Sequence, residues 1–223
     1  MTQSPPPPGR AEIKICGLTC FEDAQAALDA GADYLGFVFH RGSRRHVTPG
    51  AAEAIVSRFS GGVRAVGVFV NVSPDEALAV AEQCGLWAVQ LHGSELPGPF
   101  ADFPARLWRS VSYRAGRPSP DPAEWAADRF VVDASAPLGQ YGGTGRVADW
   151  AAAAALARAR PVMLAGGLSP ENVASAIAAV RPVGVDVSGG VEFMPGRKDQ
   201  EKIRAFVRAV RGAGVIDGGE NGR

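Results

Sequence analysis

The stretch EIKICGLTCFEDAQAALDAGADYLGFVF, residues 12–39, decides the fold. It begins with the β-branched run EIKICG, continues into an Ala-rich segment of helical spacing that ends at Gly31, and returns to the strand-like run YLGFVF. Strand, helix and strand in this order predict a parallel βαβ unit with a right-handed crossover. The turn after the first strand, CGLTCFED, lacks the G-x-G-x-x-G pattern that an open dinucleotide-binding sheet usually shows.

The same alternation continues along the chain and gives eight predicted strands, six clear helices and two poorly defined segments. Thr48 and Ser73, each followed by proline, are the expected caps of two helices. We predict an α/β fold over residues 12–211, a single-domain (β/α)8 TIM barrel with a parallel eight-stranded barrel inside a ring of helices. The competing architecture is an open doubly wound sheet. The Pro-rich residues 1–11 are expected to form a disordered arm and residues 212–223 a flexible tail.

The composition restricts the partners that we expect. Among 223 residues, Lys and Arg total 23, as do Asp and Glu, so the formal net charge is zero. That balance does not call for nucleic acid or an anionic membrane surface. An odd number of cysteines (Cys16, Cys20 and Cys84) without a signal peptide, and no apolar run of the roughly 18 residues that span a bilayer, predict a cytoplasmic protein with free thiols. We interpret Cys20 and Cys84 as packing residues.

In a barrel, active sites collect at the C-terminal ends of the strands, where several reactive side chains of this sequence fall. Because side chains alternate along a strand, Cys16 after the first strand and Asp133 at the end of the sixth are both expected to face inward. An inward thiol and carboxyl at one mouth can act as an acid–base pair on a small substrate. The plainer interpretations are a small buried hydrophobe for Cys16 and a turn cap for Asp133.

Other chemistries remain open for the same region. Cys16 and Cys20 lack a C-x-x-C spacing and the histidines form no ligand cluster, so a metal site has little support. A nucleophile pair of Cys16 and His92 is a further alternative, although no oxyanion-hole motif accompanies it. The inward Lys14 needs a partner, and Asp186 on the last strand shares its orientation. We predict a structural ion pair between them, with a Schiff-base role for Lys14 as the alternative.

Three glycine-rich loops follow the last three predicted strands, and they predict an anion site. They read QYGGTG (140–145), AGGLSPEN (165–172) and DVSGGVE (186–192). Glycine lets backbone N–H groups converge on a ligand, and this fold commonly binds phosphate late in the chain. The plainer interpretation is a set of tight turns. The loop RGSRRHVTP (41–49) adds arginines, which either hold a carboxylate in bidentate fashion or face solvent.

The motifs at the strand ends resemble those of the phosphoribosylanthranilate isomerase family. The resemblance covers about residues 12–210, and the motifs occur in order at successive strand ends. They read KICGLT with EDA, GADYLGFVF, SRRHVTP, VGVFVN, VQLHG, VVDAS with YGGTG, LAGGLSPENV, and VDVSGGVE with PGRKD. The resemblance implies a small phosphorylated sugar–anthranilate substrate and no metal or organic cofactor.

The resemblance further implies an Amadori rearrangement in tryptophan biosynthesis, in which N-(5-phosphoribosyl)anthranilate becomes 1-(2-carboxyphenylamino)-1-deoxyribulose 5-phosphate. It implies that Cys16 is the general base and Asp133 the general acid, and that Arg45 binds the anthranilate carboxylate, with Arg41 and Arg44 of the same loop as alternatives. The acid must be protonated and the base ionised near neutral pH, so their pKa values are expected to shift in opposite directions. The implied phosphate ligands lie in the three late loops: Gly143, Gly145, Gly166, Gly167, Ser188 and Gly189.

Two alternatives to this function stay open at the level of sequence. A related sugar-phosphate isomerase of histidine biosynthesis is similar in fold but uses two aspartates, which a cysteine at the first strand disfavours. A phosphate-binding barrel without catalysis would bind the sugar phosphate and leave it unconverted.

Overall fold

The computed structural model of the chain describes residues 10–60, 62–114, 116–134 and 148–213. Its centre is a ring of eight parallel strands, in which each strand pairs with the next one along the chain and the last pairs with the first. The predicted (β/α)8 barrel is therefore confirmed. The strands are β1 (Glu12–Ile15), β2 (Tyr34–Val38), β3 (Ala65–Phe69), β4 (Ala88–Leu91), β5 (Leu107–Arg114), β6 (Arg129–Asp133), β7 (Val162–Leu164) and β8 (Gly184–Val187).

Six α-helices surround the barrel within the described residues, and two of them begin as predicted. The hydroxyl of Thr48 accepts the N–H of Ala51 and that of Ser73 accepts the N–H of Glu76, each ahead of a proline in the first turn. None of these helices is long and apolar enough to cross a membrane. They are α1 (Phe21–Ala30), α2 (Pro49–Val56), α3 (Pro74–Cys84), α4 (Trp150–Ala157), α5 (Val173–Val180) and α6 (Gln200–Ala213).

Within the described ranges, no α-helix follows β4 or β5, and the 3₁₀ turns Gly98–Phe100 and Pro122–Glu124 take the place of helices there. These are the two segments whose helical pattern is weak in the sequence. β5 extends beyond the barrel and pairs with the short antiparallel strand Arg117–Ser119. The prolines of the segment GRPSPDP (116–122) account for the missing helix after β5, because proline lacks the N–H that a continuing helix donates. After β8, a hairpin of Glu192–Met194 with Arg197–Lys198 precedes α6.

Side chains alternate along the strands as predicted, so the barrel has two separate apolar regions. Ile13, Ile15 and Val132 point outward and belong to the core shared with the helices. Cys16 and Asp133 continue the inward alternation of β1 and β6 and so lie at the C-terminal mouth of the barrel. The apolar cluster of the interior consists of Tyr34, Val66, Ala88, Trp108, Val131, Met163 and Ala165.

Between this interior cluster and the mouth lies a group of buried polar side chains centred on Lys14. The Lys14 ammonium is fully buried and donates to Asp186 Oδ2 at 2.8 Å and to Gln90 Oε1 at 3.0 Å. Burial by itself would lower the pKa of Lys14, but Asp186 and Cys16 together outweigh burial, through their charges and hydrogen bonds, and raise the pKa. The predicted ion pair is present. A lysine held in its charged form has no free electron pair for a Schiff base, so the geometry disfavours that alternative.

We expect Lys14→Met to lower the free energy of unfolding by about 3–5 kcal/mol, because Asp186 would be left as an unpaired buried charge. The double variant Lys14→Met/Asp186→Leu should recover most of that loss, since neither charge remains. Urea denaturation followed by circular dichroism measures both changes. The exposed pair of Arg204 and Glu201 is the matched control, and Arg204→Met should cost less than about 1 kcal/mol. Equal stability of Lys14→Met and the wild type would contradict this account.

Candidate active site

Cys16 lies at the C-terminal end of β1, where the chain turns towards α1. Its backbone N–H donates to the Val187 carbonyl of β8 at 2.8 Å, so the residue is still held by the barrel. Only 9% of its surface is exposed. Gly36 on the neighbouring strand makes room for the sulfur, because a β-carbon at position 36 would come within 2.8 Å of Sγ. The glycine in the motif YLGFVF therefore has a steric reason.

Asp133 ends β6 and turns its carboxyl group into the mouth. Its Oδ1 accepts the backbone N–H of Ala134 at 2.7 Å. Its Oδ2 lies 3.5 Å from Nε2 of His92. Gly166, with a φ of 81°, packs against this carboxyl, and a β-carbon on it would come within 2.9 Å of Oδ1. The loop after β7 can approach Asp133 this closely because it carries no side chain at that position.

The thiol and the carboxyl share one electrostatic environment. Lys14 and Asp186, which pair with each other, both act on the pKa of Cys16 and on the pKa of Asp133. Cys16 directly follows β1 and Asp133 ends β6, and the parallel strands of the barrel all end at the same mouth. The structure therefore brings the two predicted acid–base residues to one mouth, around one buried ion pair.

Burial raises the pKa values of both groups. The pKa of Asp133 is raised to about 6, first by burial and further by Asp186, against the opposing effects of a backbone N–H and Lys14. Burial also raises the pKa of Cys16, and Lys14 only partly offsets this. The pKa of Asp133 shifts in the direction expected for the acid, whereas the lowered pKa expected for the Cys16 thiol is wrong. The reason is that a buried thiolate loses its hydration and shares its nearest cation with Asp186.

Arg45 reaches the same mouth and is held by a carboxylate. Its Nε and Nη2 donate to the two oxygens of Glu192, at 2.8 and 2.7 Å. Lys198 Nζ donates to Glu192 at 2.8 Å and to the Ser188 carbonyl at 3.1 Å. Burial would raise the pKa of Glu192, but Arg45 and Lys198 outweigh burial and lower it. The other edge of the Arg45 guanidinium, at Nη1, has no hydrogen-bond partner among the residues that the structure describes.

The structure distinguishes among the three arginines of the loop after β2. Arg41 and Arg44 are exposed, whereas Arg45 is half-buried and close enough to Cys16 for their charges to interact. Sequence reasoning missed Glu192 and Lys198, although both lie in quoted motifs. They face each other across the hairpin after β8, and the strand pattern of the sequence did not predict that hairpin.

The two described glycine-rich loops supply candidate donors for an anion. Gly166 and Gly167 have φ values of 81° and 65°, a pair of left-handed conformations that lets N–H groups converge. The Ser188 hydroxyl is buried and has no hydrogen-bond partner in the described part of the chain. Gly189 opens the short 3₁₀ turn that follows Ser188. The other predicted phosphate ligands lie outside the described residues: Gly143 and Gly145.

His92 contacts the carboxyl group and not the thiol. Within the described residues, its Nδ1 lies 2.9 Å from Ser110 Oγ and its Nε2 faces Asp133. A nucleophile pair of Cys16 and His92 therefore has no geometric support. No group of three or more His, Cys, Asp or Glu side chains in the described ranges is arranged to hold a metal ion. The arrangement is that of a dry acid–base site beside a set of anion donors.

Comparison with known proteins identifies relatives along nearly the whole chain. A family model described as N-(5′phosphoribosyl)anthranilate (PRA) isomerase matches residues 13–209. The N-(5′-phosphoribosyl)anthranilate isomerase of Trichlorobacter lovleyi is 43% identical over 203 residues, which cover 91% of this chain and 98% of the relative. The enzyme of the same name from Geobacter sulfurreducens is 45% identical over 201 residues, covering 90% and 98%.

Solved structures agree with these sequence matches. Phosphoribosyl anthranilate isomerase from Thermotoga maritima superposes with a TM-score of 0.81 at 39% identity, covering 91% of this chain and 99% of that one. A phosphoribosyl anthranilate isomerase in complex with reduced 1-(o-carboxyphenylamino)-1-deoxyribulose 5-phosphate superposes with a TM-score of 0.78 at 36% identity, covering 91% and 99%.

We expect Cys16 to react slowly with iodoacetamide at pH 7, because the raised pKa leaves little thiolate, and its rate should keep rising above pH 9. Asp186→Asn should move this profile to lower pH, since it removes a negative neighbour and leaves the Lys14 charge uncompensated. Peptide mass spectrometry over a pH series measures the modification of Cys16 alone. Asp75→Asn, on the exposed first turn of α3, is the matched control and should leave the profile in place. A profile centred near the ordinary thiol pKa would contradict the buried environment.

Proposed function

Because the chain belongs to the N-(5′-phosphoribosyl)anthranilate isomerase family, we propose that Cys16 and Asp133 are the general base and general acid of the isomerisation that it catalyses. The reaction is the Amadori rearrangement of N-(5-phospho-β-D-ribosyl)anthranilate to 1-(2-carboxyphenylamino)-1-deoxy-D-ribulose 5-phosphate in tryptophan biosynthesis. The observation that carries the assignment is the placement of the two groups, since Cys16 directly follows β1 and Asp133 ends β6 at the mouth where the glycine-rich loops lie.

The acid acts first. A pKa of about 6 lets Asp133 keep its proton closer to neutral pH than an ordinary aspartic acid does. Transfer of that proton to the ribose ring oxygen allows the bond between C1 and this oxygen to break, and the nitrogen lone pair forms a C1=N iminium. Asp133 is left as a carboxylate, which the Ala134 N–H at 2.7 Å stabilises.

The base acts on the ring-opened cation. The Cys16 thiolate removes the proton from C2, the C–H electron pair forms a C1=C2 bond, and the nitrogen regains its lone pair. The resulting enolamine tautomerises to the C2 ketone. Because burial raises the pKa of Cys16 in the unliganded protein, the positive iminium and Lys14 must favour the thiolate at this step. The iminium is itself the electron sink, so these steps need no metal or organic cofactor.

Two anion sites position the substrate around this pair. We assign the anthranilate carboxylate to the Nη1 edge of Arg45, because Glu192 already binds the opposite edge and fixes the plane of the guanidinium. We assign the phosphate to the late loops. The unpartnered Ser188 hydroxyl and the left-handed glycines of the loop after β7 support this assignment. The loop that carries Gly143 and Gly145 completes the proposed phosphate site, as the family resemblance implies.

The remaining features of the chain fit a small-molecule enzyme. We treat residues 12–211 as one catalytic domain, because the pairing of β8 with β1 makes both ends of this segment necessary for closure. A formal net charge of zero supports the absence of a nucleic-acid or membrane partner. Three free cysteines support a cytoplasmic location, where thiols stay reduced.

We expect Cys16→Ala and Asp133→Asn each to lower kcat by about 10²- to 10⁴-fold, because each removes one proton transfer of the reaction. Consumption of the fluorescent anthranilate substrate measures turnover, and circular dichroism verifies that the variants fold. Cys20→Ala and Asp102→Asn are the matched controls, a half-buried thiol in the next loop and an exposed carboxyl, and both should keep wild-type rates. Near-normal turnover in Cys16→Ala or Asp133→Asn would refute the role of that residue.

We expect Arg45→Met to lower kcat/KM by about 10- to 100-fold, because it removes a charge-assisted bond to the substrate carboxylate. With the phosphoribosyl derivative of aniline, which lacks the carboxylate, Arg45→Met and the wild type should have similar kcat/KM values. Arg44→Met, at an exposed neighbouring arginine, is the matched control and should leave both substrates unaffected. An equal loss of kcat/KM with both substrates would show that Arg45 has a structural role at the mouth and does not bind this carboxylate.

A further inference from the structure

A row of polar side chains crosses the barrel from Lys14 to Asp133, and the mechanism above does not use its middle members, Gln90, Ser110 and His92. Lys14 Nζ donates to Gln90 Oε1 at 3.0 Å, and Gln90 Nε2 donates to the Ser110 hydroxyl at 3.1 Å. Ser110 Oγ lies 2.9 Å from His92 Nδ1. His92 Nε2 lies 3.5 Å from Asp133 Oδ2. The row from Lys14 to His92, here called the Lys14–His92 row, therefore joins the buried ion pair to the proposed acid.

Lys14 fixes the direction of the first two hydrogen bonds in this row. An ammonium group only donates, so Gln90 must turn its carbonyl oxygen to Lys14 and its amide nitrogen to Ser110. Ser110 therefore accepts from Gln90, and its own hydroxyl hydrogen has one acceptor among the described residues, Nδ1 of His92. A ring nitrogen that accepts a hydrogen bond carries no proton. In a neutral imidazole the single ring proton is then on Nε2.

The surroundings of His92 keep its ring neutral. Burial, followed by the positive charges of Lys14 and Arg109, lowers the pKa of His92 to about 4, against the opposing charges of Asp186 and Glu95. A charged ring would also carry a proton on Nδ1 and direct it at the hydroxyl hydrogen of Ser110. The neutral ring therefore keeps the directed bond from Ser110 and presents its one N–H to Asp133.

We propose that the Lys14–His92 row holds His92 as the neutral Nε2–H tautomer, so that this N–H meets the carboxylate that Asp133 becomes when it donates its proton. The inference rests on the role proposed above for Asp133 as general acid. Oδ1 of Asp133 already accepts the Ala134 N–H at 2.7 Å, so Oδ2 is the oxygen that needs a second donor. The Nε2–Oδ2 distance of 3.5 Å is longer than a formed hydrogen bond, and we expect a full negative charge on Oδ2 to draw the N–H into one.

The opposite tautomer has different consequences and fits the row less well. With the proton on Nδ1, both Gln90 and His92 would donate to Ser110, and the Ser110 hydroxyl hydrogen would lose its acceptor within the described residues. Nε2 would then accept the proton of Asp133 and hold it in place. The Nε2–H tautomer stabilises the carboxylate, whereas the Nδ1–H tautomer stabilises the protonated acid.

The Lys14–His92 row thus limits how far burial raises the pKa of Asp133. The negative charge of Asp186 raises the pKa of Asp133, while the Ala134 N–H and Lys14 lower it. In the proposed tautomer the His92 N–H joins the groups that favour the carboxylate. An acid whose pKa stays near the working pH transfers its proton more readily than one held fully protonated by burial. His92, Ser110 and Gln90 are positioning residues in this account.

Nitrogen-15 NMR of the full-length, histidine-labelled enzyme without substrate tests the tautomer directly. At pH 7 we expect His92 to show a protonated Nε2 and an unprotonated Nδ1, with His92→Gln identifying its signals among those of the three histidines. Ser110→Ala should increase the share of the Nδ1–H tautomer, because the ring loses one of the two contacts that distinguish its nitrogens, the other being the Asp133 carboxylate. Ser57→Ala, at an exposed serine after α2, should change nothing. An Nδ1–H or charged ring in the wild type would overturn the proposal.

The pH dependence of kcat/KM tests the consequence for the acid. At pH 5, where Asp133 is mostly protonated, His92→Leu should lower kcat/KM about tenfold, because the new carboxylate loses a donor. Towards pH 8 the resting carboxylate loses the same donor, so the deficit should narrow. His92→Gln keeps an N–H donor and should stay close to the wild type. A deficit that is constant from pH 5 to 8 is the result of a purely structural role and would overturn the proposal.

The two proposals fail in different experiments. Activity in Asp133→Asn overturns the assignment of the acid and, with it, the use made of the His92 N–H. The wrong tautomer in the NMR spectrum overturns only the Lys14–His92 row and leaves the acid–base pair intact.

Discussion

The buried ammonium of Lys14 is the interaction on which the mouth of this barrel depends. A charge at the centre of a dry barrel must be compensated, and Asp186 on β8 compensates it at 2.8 Å. Because β8 is also the strand that closes the ring onto β1, the ion pair that satisfies the lysine joins the first unit of the chain to the last. The same two charges act on Cys16 and Asp133. The ion pair of Lys14 and Asp186 therefore links the first strand to the last and also shifts the pKa values of Cys16 and Asp133.

Desolvation affects the two halves of the proposed reaction in opposite ways. It helps Asp133, because a carboxyl with a pKa of about 6 retains a proton to donate. It hinders Cys16, because the thiol also keeps its proton when no substrate is present. The reaction itself supplies the missing charge, since proton donation by Asp133 creates a cation next to the thiol. The proposed order of the two steps, acid before base, follows from the iminium, which makes the C2 proton acidic and favours the Cys16 thiolate.

The sequence predicted the features that depend on local periodicity and on the direction of strands. Alternation along β1 and β6 predicts that Cys16 and Asp133 face inward, and the parity of β1 and β8 predicts the partner of Lys14. It did not predict the sign of the Cys16 pKa shift, because that depends on how the barrel excludes water from the thiol. Nor did it predict that Glu192 holds Arg45, because the hairpin that brings Glu192 there interrupts the repeating strand–helix pattern. A contact between residues of two separate loops leaves no periodic pattern in the sequence from which it could be predicted.

A last consequence follows from how the ring is closed. Arg211 in α6 donates to the Ala11 carbonyl at 2.7 Å and to the Gly31 carbonyl at 2.8 Å, so the final helix is tied to the entrance of the first strand. The beginning and the end of the described chain are therefore neighbours, and a closed ring of like units has no intrinsic starting point. Joining the two ends through a short linker and opening the backbone at another surface loop would give a circular permutant with the same barrel. The order of the strand–helix units along the chain is therefore separable from the barrel that they form.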